Sequence, residues 1–396
     1  MNPTSPLTRL RFSRFDCRSE FSAVEQIWKA LQARCAHPYF LSWGWLSTWL
    51  KTLPPAQRVW LIAGFSNGEA VLAFFVGTTI SWLPVPGLRR AALNATGNER
   101  LDKIYVEYNG LLADPEIAVD FDLFRRACGQ IRWTELRLPG LSCRFAAQLH
   151  PLTEHPEAHL ALLEETTAAY WVNLEQVRAQ NMDYAALLSA NKRAQIRRSI
   201  KEYEKDGLIA IQEAQTPQEA LRFLEQLANY HQKEWQERGR DGAFSNEYFR
   251  RFHRALITER FAHGEIQLLR IAAPNVELGY LYNFVYHGRV YFYQSGFNYQ
   301  PGNLHRPGLV SHYYAVLRNA QHGHAVYDFM AGQDDYKKSL STDSEPMYWL
   351  RLFRSRPVFW AWKAFAAAKK RAKTSPLAYR LLQSLKKLAS SQENER

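Results

Sequence analysis

Hydrophobic and polar positions are patterned most clearly in the second half of the chain. Leu208–Glu213 alternates as a half-buried strand does. Thr216 and Pro217 then open a helix, with Thr216 placed as N-cap, Pro217 at the first helical position and Glu219 three residues after the cap. Leu221, Leu224, Leu227 and Ala228 keep the helical period to about Trp235, and a Gly-rich break (Arg238–Gly242) follows. A second helix carries Tyr248, Phe249, Phe252 and Leu256 on one face. Three strands are expected next, over Glu265–Ala272, Glu277–Tyr286 and Arg289–Ser295, separated by the turn signals Pro274-Asn275 and His287-Gly288. A Pro/Gly loop (Gln300–Gly308), a helix from Leu309 to Gln321 that stops at Gly323, and a strand over Ala325–Met330 complete the unit.

The first half repeats this order weakly. Phe40, Trp43, Trp45 and Trp49 lie on an expected helix, followed by a hairpin of Val59–Phe65 and Ala70–Gly77 across Ser66-Asn67-Gly68-Glu69. Phe40 to Val59 spans 19 residues and Tyr248 to Ile266 spans 18, so the spacing fits a duplication. The first copy has no counterpart of the Pro/Gly loop and basic helix start at His305–Gly308.

Size agrees with two units, since 396 residues exceed what one core usually supports. Four cysteines without a Cys-x-x-Cys pair argue against a disulfide scaffold and a structural zinc site, and fit a reducing compartment. The uncharged stretch Ala70–Leu88 contains Gly77, Pro84 and Pro86 and reads as strand and turn, not as a membrane span. The N-terminus lacks the apolar core of a signal peptide, so a cytoplasmic protein is expected.

Net charge is +12, of which +10 falls between Arg351 and Arg396. That tail also carries Trp349, Phe353, Phe359, Trp360, Trp362 and Phe365 beside Lys369-Lys370-Arg371. It reads either as an interfacial helix resting on anionic lipid or as a helix packing its aromatics on the catalytic domain.

Several stretches together resemble the bacterial acetyltransferases of the cellulose-biosynthesis CelD type. These BioF2-like members of the N-acetyltransferase (GNAT) superfamily are related to the FemAB peptidoglycan transferases. The stretches are Asn191–Arg198, His231 with Trp235 and Gly242–Phe244, Ser295–Asn298, Pro307-Gly308, and Tyr327–Gly332 followed by Asp335–Lys337. A weaker echo, Tyr108-Asn109-Gly110, lies in the first half, and Lys338–Met347 departs from the family pattern. The resemblance implies an α/β (α+β) fold of tandem GNAT-like domains with a cofactor site in the second. The expected divisions are a degenerate domain over 1–165, a catalytic domain over 166–348 and a basic tail over 349–396.

The expected activity is transfer of an acetyl or longer acyl group from acyl-CoA to an amine or hydroxyl in a cleft between the domains. A saccharide of exopolysaccharide or envelope synthesis is one implied acceptor. Aminoacyl transfer from charged tRNA and a non-enzymatic scaffold at the membrane are the alternatives. Arg306, Pro307 and Gly308 at a helix start suit a pyrophosphate, because free backbone N–H groups and the dipole favour anions there. Ser295, Gly296, Phe297 and Asn298 are expected on the splayed strand that holds the thioester.

Asp328, flanked by aromatics, reads as a general base or as half of an ion pair with Lys337 or an arginine. Tyr336 is a candidate to protonate the departing thiolate, and Lys337 to bind phosphate or an acidic acceptor. His231, Trp235, Tyr108 and Asn109 form the candidate substrate set. No metal is expected, since His231 and His253 lack convergent ligands. The basic stretch Asn191–Lys205 lacks the interleaved aromatics of a single-strand platform, so it reads first as the solvated face of a helix.

Overall fold

The computed structural model describes residues 10–81, 87–300, 302 and 304–372, with side chains to 368. The turn expected at Pro84 and Pro86, the side chains of Lys369-Lys370-Arg371 and the tail beyond residue 372 lie outside the described residues. Two compact units form, Met1–Thr166 with Met347–Arg396, and Thr167–Pro346.

The first unit begins with β1 (Arg11–Asp16), α1 (Phe21–Gln32), α2 (Trp43–Thr52), β2 (Arg58–Ser66), β3 (Glu69–Ser81) and β4 (Leu88–Leu93). Then come β5 (Leu112–Ala113), α3 (Phe121–Ala127), β6 (Glu135–Leu141), α4 (Cys143–Gln148) and α5 (His150–Glu154). Ser42 Oγ accepts the Trp45 N–H at 3.2 Å and so fixes the start of α2, which buries Trp45 and Trp49. The β2–β3 hairpin turns at Asn67 (φ +51°) and Gly68 (φ +86°), the left-handed pair that the Asn-Gly signal predicts.

β7 (Ala161–Asn173) crosses the division after Thr166, and the second unit then contains α6 (Leu174–Ala179), α7 (Ala190–Tyr203), β8 (Ala210–Glu213), α8 (Pro217–Glu237) and α9 (Glu247–Arg260). It continues through β9 (Ile266–Ala273), β10 (Val276–Tyr286), β11 (Arg289–Phe297), α10 (Pro307–Gln321), β12 (Val326–Ala331) and α11 (Asp335–Leu340). Thr216 Oγ1 accepts the Glu219 N–H at 3.1 Å, while Glu219 reaches back to the Gln215 N–H at 2.8 Å. The two-sided cap read from the sequence thus forms, shifted by one residue on its second arm.

The same order recurs in both units: strand, two helices, three strands, helix, strand. In each, the first four of these strands pair antiparallel in succession, and the fourth and fifth run parallel over three positions only. β4 and β6 pair over Arg90–Ala92, and β11 and β12 over Arg289–Tyr291. Beyond those positions the parallel strands part.

Two further elements, β13 (Asp343–Phe353) and α12 (Arg356–Ala372), end the described chain. Tyr348–Phe353 pairs antiparallel with β6, so residues 349–353, expected in a tail, form a strand beside β6 instead. α12 lays Phe359 on Phe353 (ring centroids 5.7 Å) and Trp362 beside Arg351 (4.2 Å), and Lys363 pairs with Glu157. Phe359 and Trp362 therefore pack on the first unit, not on the second. Among the described residues no helix is long and apolar enough to cross a membrane.

Candidate active site

The site follows from the parting of β11 and β12 in the second unit. Their register ends at Tyr291 and Asp328, yet β11 runs on to Phe297, paired there with β10 alone among the described strands. α10 starts next to this open edge. Its N-cap position, Arg306, supplies no side-chain cap, and Pro307 has no N–H, which leaves the Gly308 and Leu309 amides as first-turn donors without intrahelical acceptors. Gly308 lets the helix start approach closely, since a Cβ there would stand 3.0 Å from the Phe297 ring.

α7 holds this helix start in place. Ser199 Oγ accepts the Arg306 N–H at 3.0 Å, and the Arg306 guanidinium donates to Gln195 Oε1 at 3.1 Å. Ile196, Ser199 and Tyr203 form the buried face of α7, while Arg197, Arg198, Lys201 and Lys205 are exposed. Lys192 alone among the basic residues of this helix lines the cavity beside Arg306. Burial, then the Arg306 charge, lowers the Lys192 pKa. Positive charge is thus concentrated where a helix N-terminus already favours anions.

A cavity of about 620 Å³ opens between these elements, α8 and α11. It brings together Ser295, Phe297, Arg306, Gly308, Tyr336, Lys337, His231 and Trp235 from the sequence-derived set. His231 arrives there because α8 packs on β11 at Gly296, where a Cβ would meet the Leu227 carbonyl oxygen at 2.1 Å. One turn beyond Leu227, His231 points the same way, and burial lowers its pKa to about 4. Burial likewise raises the Tyr336 phenol, so it remains protonated at physiological pH.

Other expected residues stand elsewhere. Gly296 serves the helix-on-strand contact just described and does not line the cavity. Pro307 is likewise absent from the lining; it is buried and starts α10. Asn298 is spent on structure, its N–H donating to Leu278 and its side-chain amide to Glu277 at 3.0 Å. Asp328 lies off the cavity and is fully buried. Its Oδ2 accepts from Arg289 Nε at 2.8 Å, and its Oδ1 from the Met330 N–H at 2.7 Å. The ion-pair reading of Asp328 therefore has Arg289 as partner, while Lys337 Nζ turns to the Ala331 carbonyl at 2.6 Å.

In the first unit Asn109 is fully buried. Its amide donates to Leu93 and Pro139, and its oxygen accepts from Asn94 and Gly110, which exhausts its hydrogen bonds. Tyr108 is buried next to it, with φ +52°. Neither presents a substrate surface.

The cavity lining outside that set includes Glu234 and His312. Glu234, one turn after His231, has its pKa raised by burial against the opposing effects of Arg238 and Tyr299. His312, one turn after Gly308, is only 2% exposed, and burial lowers its pKa to about 3. The available signal was helical spacing alone, i+3 from His231 and i+4 from Gly308. Among the described residues no group of three or more His, Cys, Asp or Glu is placed to hold a metal ion.

Residues 190–338 match the family described as "Acetyltransferase (GNAT) domain". Among solved structures, FemX is similar with a TM-score of 0.54 at 9% identity, covering 85% of this chain and 97% of that one. L-PGS from Bacillus licheniformis gives 0.49 at 12% identity, over 84% and 93% of the two chains. A tandem GNAT protein from the clavulanic acid biosynthesis pathway gives 0.47 at 14% identity, over 88% and 99%. None of the curated proteins matches by sequence. The chain has a mixed α/β fold of the GNAT type, and the family match falls on the second unit.

Proposed function

We propose that the second unit is an acyl-CoA-dependent acyltransferase. The observation that carries this reading is the meeting of the parted β11–β12 edge with the uncapped, cation-flanked start of α10 in one cavity. The amides of Gly308 and Leu309, with Arg306 and Lys192, suit a pyrophosphate. The open edge of β11 at Ser295–Phe297 suits the acyl-bearing arm.

Transfer then follows direct attack. An acceptor amine or hydroxyl attacks the thioester carbonyl, its proton passes to Glu234, the C–S bond breaks, and Tyr336 gives a proton to the departing thiolate. Glu234 takes the base role expected of Asp328, because it lines the cavity and burial moves its pKa toward the working range. A saccharide of envelope or exopolysaccharide synthesis is the acceptor class we favour, by resemblance. Peripheral contact with anionic membrane through α12 and the basic stretch after it is part of the same proposal, supported by Trp360, which is 57% exposed on α12.

One observation favours a second reading. The exposed row Arg197, Arg198 and Lys201 on α7 suits an RNA backbone, as aminoacyl transfer from charged tRNA would require. A thermal-shift screen separates the two. Stabilisation by acetyl-CoA or octanoyl-CoA supports the first, stabilisation by tRNA alone supports the second, and no response to either overturns both.

A further inference from the structure

His312 sits on α10 where β11 and β12 have parted, its ring 4.5 Å from Phe292, 5.2 Å from Phe329 and 5.5 Å from Tyr336. These neighbours come from β11, β12 and α11, so the imidazole stands at the base of the wedge. Nδ1 lies 3.3 Å from the Tyr327 hydroxyl. Nε2 is buried and has no hydrogen-bond partner among the described residues.

Counting donors and acceptors selects the tautomer. Tyr327 is fully buried, and His312 is the partner its hydroxyl has. If the phenol accepted from Nδ1–H, its own hydrogen would be left without an acceptor, and Nε2 would be a bare acceptor as well. If the phenol donates to Nδ1, the phenol hydrogen and Nδ1 satisfy each other and one group remains, the Nε2–H donor. The first arrangement leaves two buried groups unpaired and the second only one, so the second is preferred. The imidazole is neutral throughout the physiological range, because burial lowers its pKa to about 3. Its remaining N–H is therefore a fixed, uncharged donor at the point where the strands open.

We propose that His312 Nε2–H donates a hydrogen bond to the carbonyl oxygen of the bound acyl thioester and to the oxyanion that forms from it. This rests on the acyl-CoA reading above. As the acceptor's lone pair forms the new C–N or C–O bond, the carbonyl π electrons move to oxygen. They return when the C–S bond breaks. His312 keeps its proton throughout, so its contribution is electrostatic and is largest in the transition state. Tyr327 is a positioning residue that fixes the tautomer.

The test needs no known acceptor. Acetyl-CoA labelled with ¹³C at the carbonyl is bound to the full chain, and its C=O stretch is recorded by difference infrared spectroscopy. The wild type should lower that frequency below the value in water. His312→Phe should abolish the shift while the Kd for acetyl-CoA changes by less than about threefold, and the slow hydrolysis of acetyl-CoA should fall about 10²-fold. His312→Gln, which retains an N–H donor, should recover part of the shift. Tyr327→Phe, which frees the tautomer, should reduce the shift, and it tests the proposal if His312→Phe does not fold. A ¹⁵N spectrum of histidine-labelled protein should show the Nε2–H form.

A bound but unshifted carbonyl in the wild type, or a wild-type spectrum in His312→Phe, overturns the role of His312 and leaves acyl-CoA binding standing. Failure of the wild type to bind either acetyl-CoA or octanoyl-CoA overturns both.

Discussion

Arg289 Nε donates to Asp328 Oδ2 across 2.8 Å at the last stretch where β11 and β12 run side by side. Arg289 also lies over the Trp171 and Tyr291 rings, at 5.2 Å and 5.7 Å. The pair holds the root of the wedge, and the carboxylate is fully buried while the arginine is 28% exposed. Asp328→Asn keeps the acceptor for the Met330 N–H but removes the buried charge paired with the guanidinium. It should cost about 3 kcal/mol, at the low end for a broken buried pair because Arg289 is partly solvated. Thermal denaturation should show the loss, and acetyl-CoA affinity should stay within about twofold. A stable variant with lowered turnover would return the base role to Asp328.

Glu234→Gln should behave in the opposite way. Burial already penalises the charged form of this carboxyl, so a neutral isostere should leave the melting temperature unchanged or slightly higher. Once an acceptor is found, turnover should fall by about 10² with little change in acetyl-CoA affinity. Full activity in the glutamine variant would remove Glu234 from the chemistry.

Two glycines separate folding from binding. A methyl group at Gly296 would meet backbone, the Leu227 carbonyl oxygen at 2.1 Å, and neither α8 nor β11 can yield cheaply. Gly296→Ala should therefore destabilise by about 2 kcal/mol or more. At Gly308 the added methyl would press on the Phe297 ring at 3.0 Å, a side chain that can tilt. Gly308→Ala should fold and weaken acetyl-CoA binding, because Phe297 tilts within the cavity lining. Calorimetric titration and thermal denaturation of the two proteins give both readouts.

Stability should fall on mild acidification. His231, His253 and His312 are buried neutral, with pKa values of about 4, well below the ordinary value, and about 3 respectively. In the unfolded chain they titrate near 6.5, so below that pH the unfolded state binds protons that the native state does not. The stabilisation is fully present above about pH 7 and is lost as pH falls toward the native values, at up to roughly 1.4 kcal/mol per pH unit for each histidine. Asp102, Glu234 and Glu345, whose pKa values are raised, oppose this nearer the carboxylate range. Urea denaturation at pH 7 and pH 5.5 should show the fall, and His231→Gln should flatten the slope by about one proton. A midpoint that does not move between the two pH values would contradict the neutral burial of these residues.

Much of the fold was legible because its signals are local. Thr216-Pro217, Asn67-Gly68 and His287-Gly288 each fix a start or a turn within a few residues, and the elements between them follow from periodicity. The roles of individual polar residues were not legible, since they depend on pairings distant in sequence. Arg289 meets Asp328 across 39 residues. Asn109 is exhausted by carbonyls and amides spread from Leu93 to Pro139. Residues 349–353 read as tail because the partner strand, β6, lies some two hundred positions earlier. Glu234 and His312 look ordinary on amphipathic helices, and only burial in a shared cavity distinguishes them.

The central claim is that acyl-CoA binds at the start of α10, and titration of acetyl-CoA into wild-type protein and Arg306→Glu tests it most directly. The substitution places a like charge beside the pyrophosphate and removes a cation from the α10 start. The wild type should bind one equivalent with an affinity that weakens as salt rises, and Arg306→Glu should bind at least tenfold more weakly while melting at a similar temperature. Equal affinity in a folded Arg306→Glu protein, or no binding by the wild type, would contradict the account.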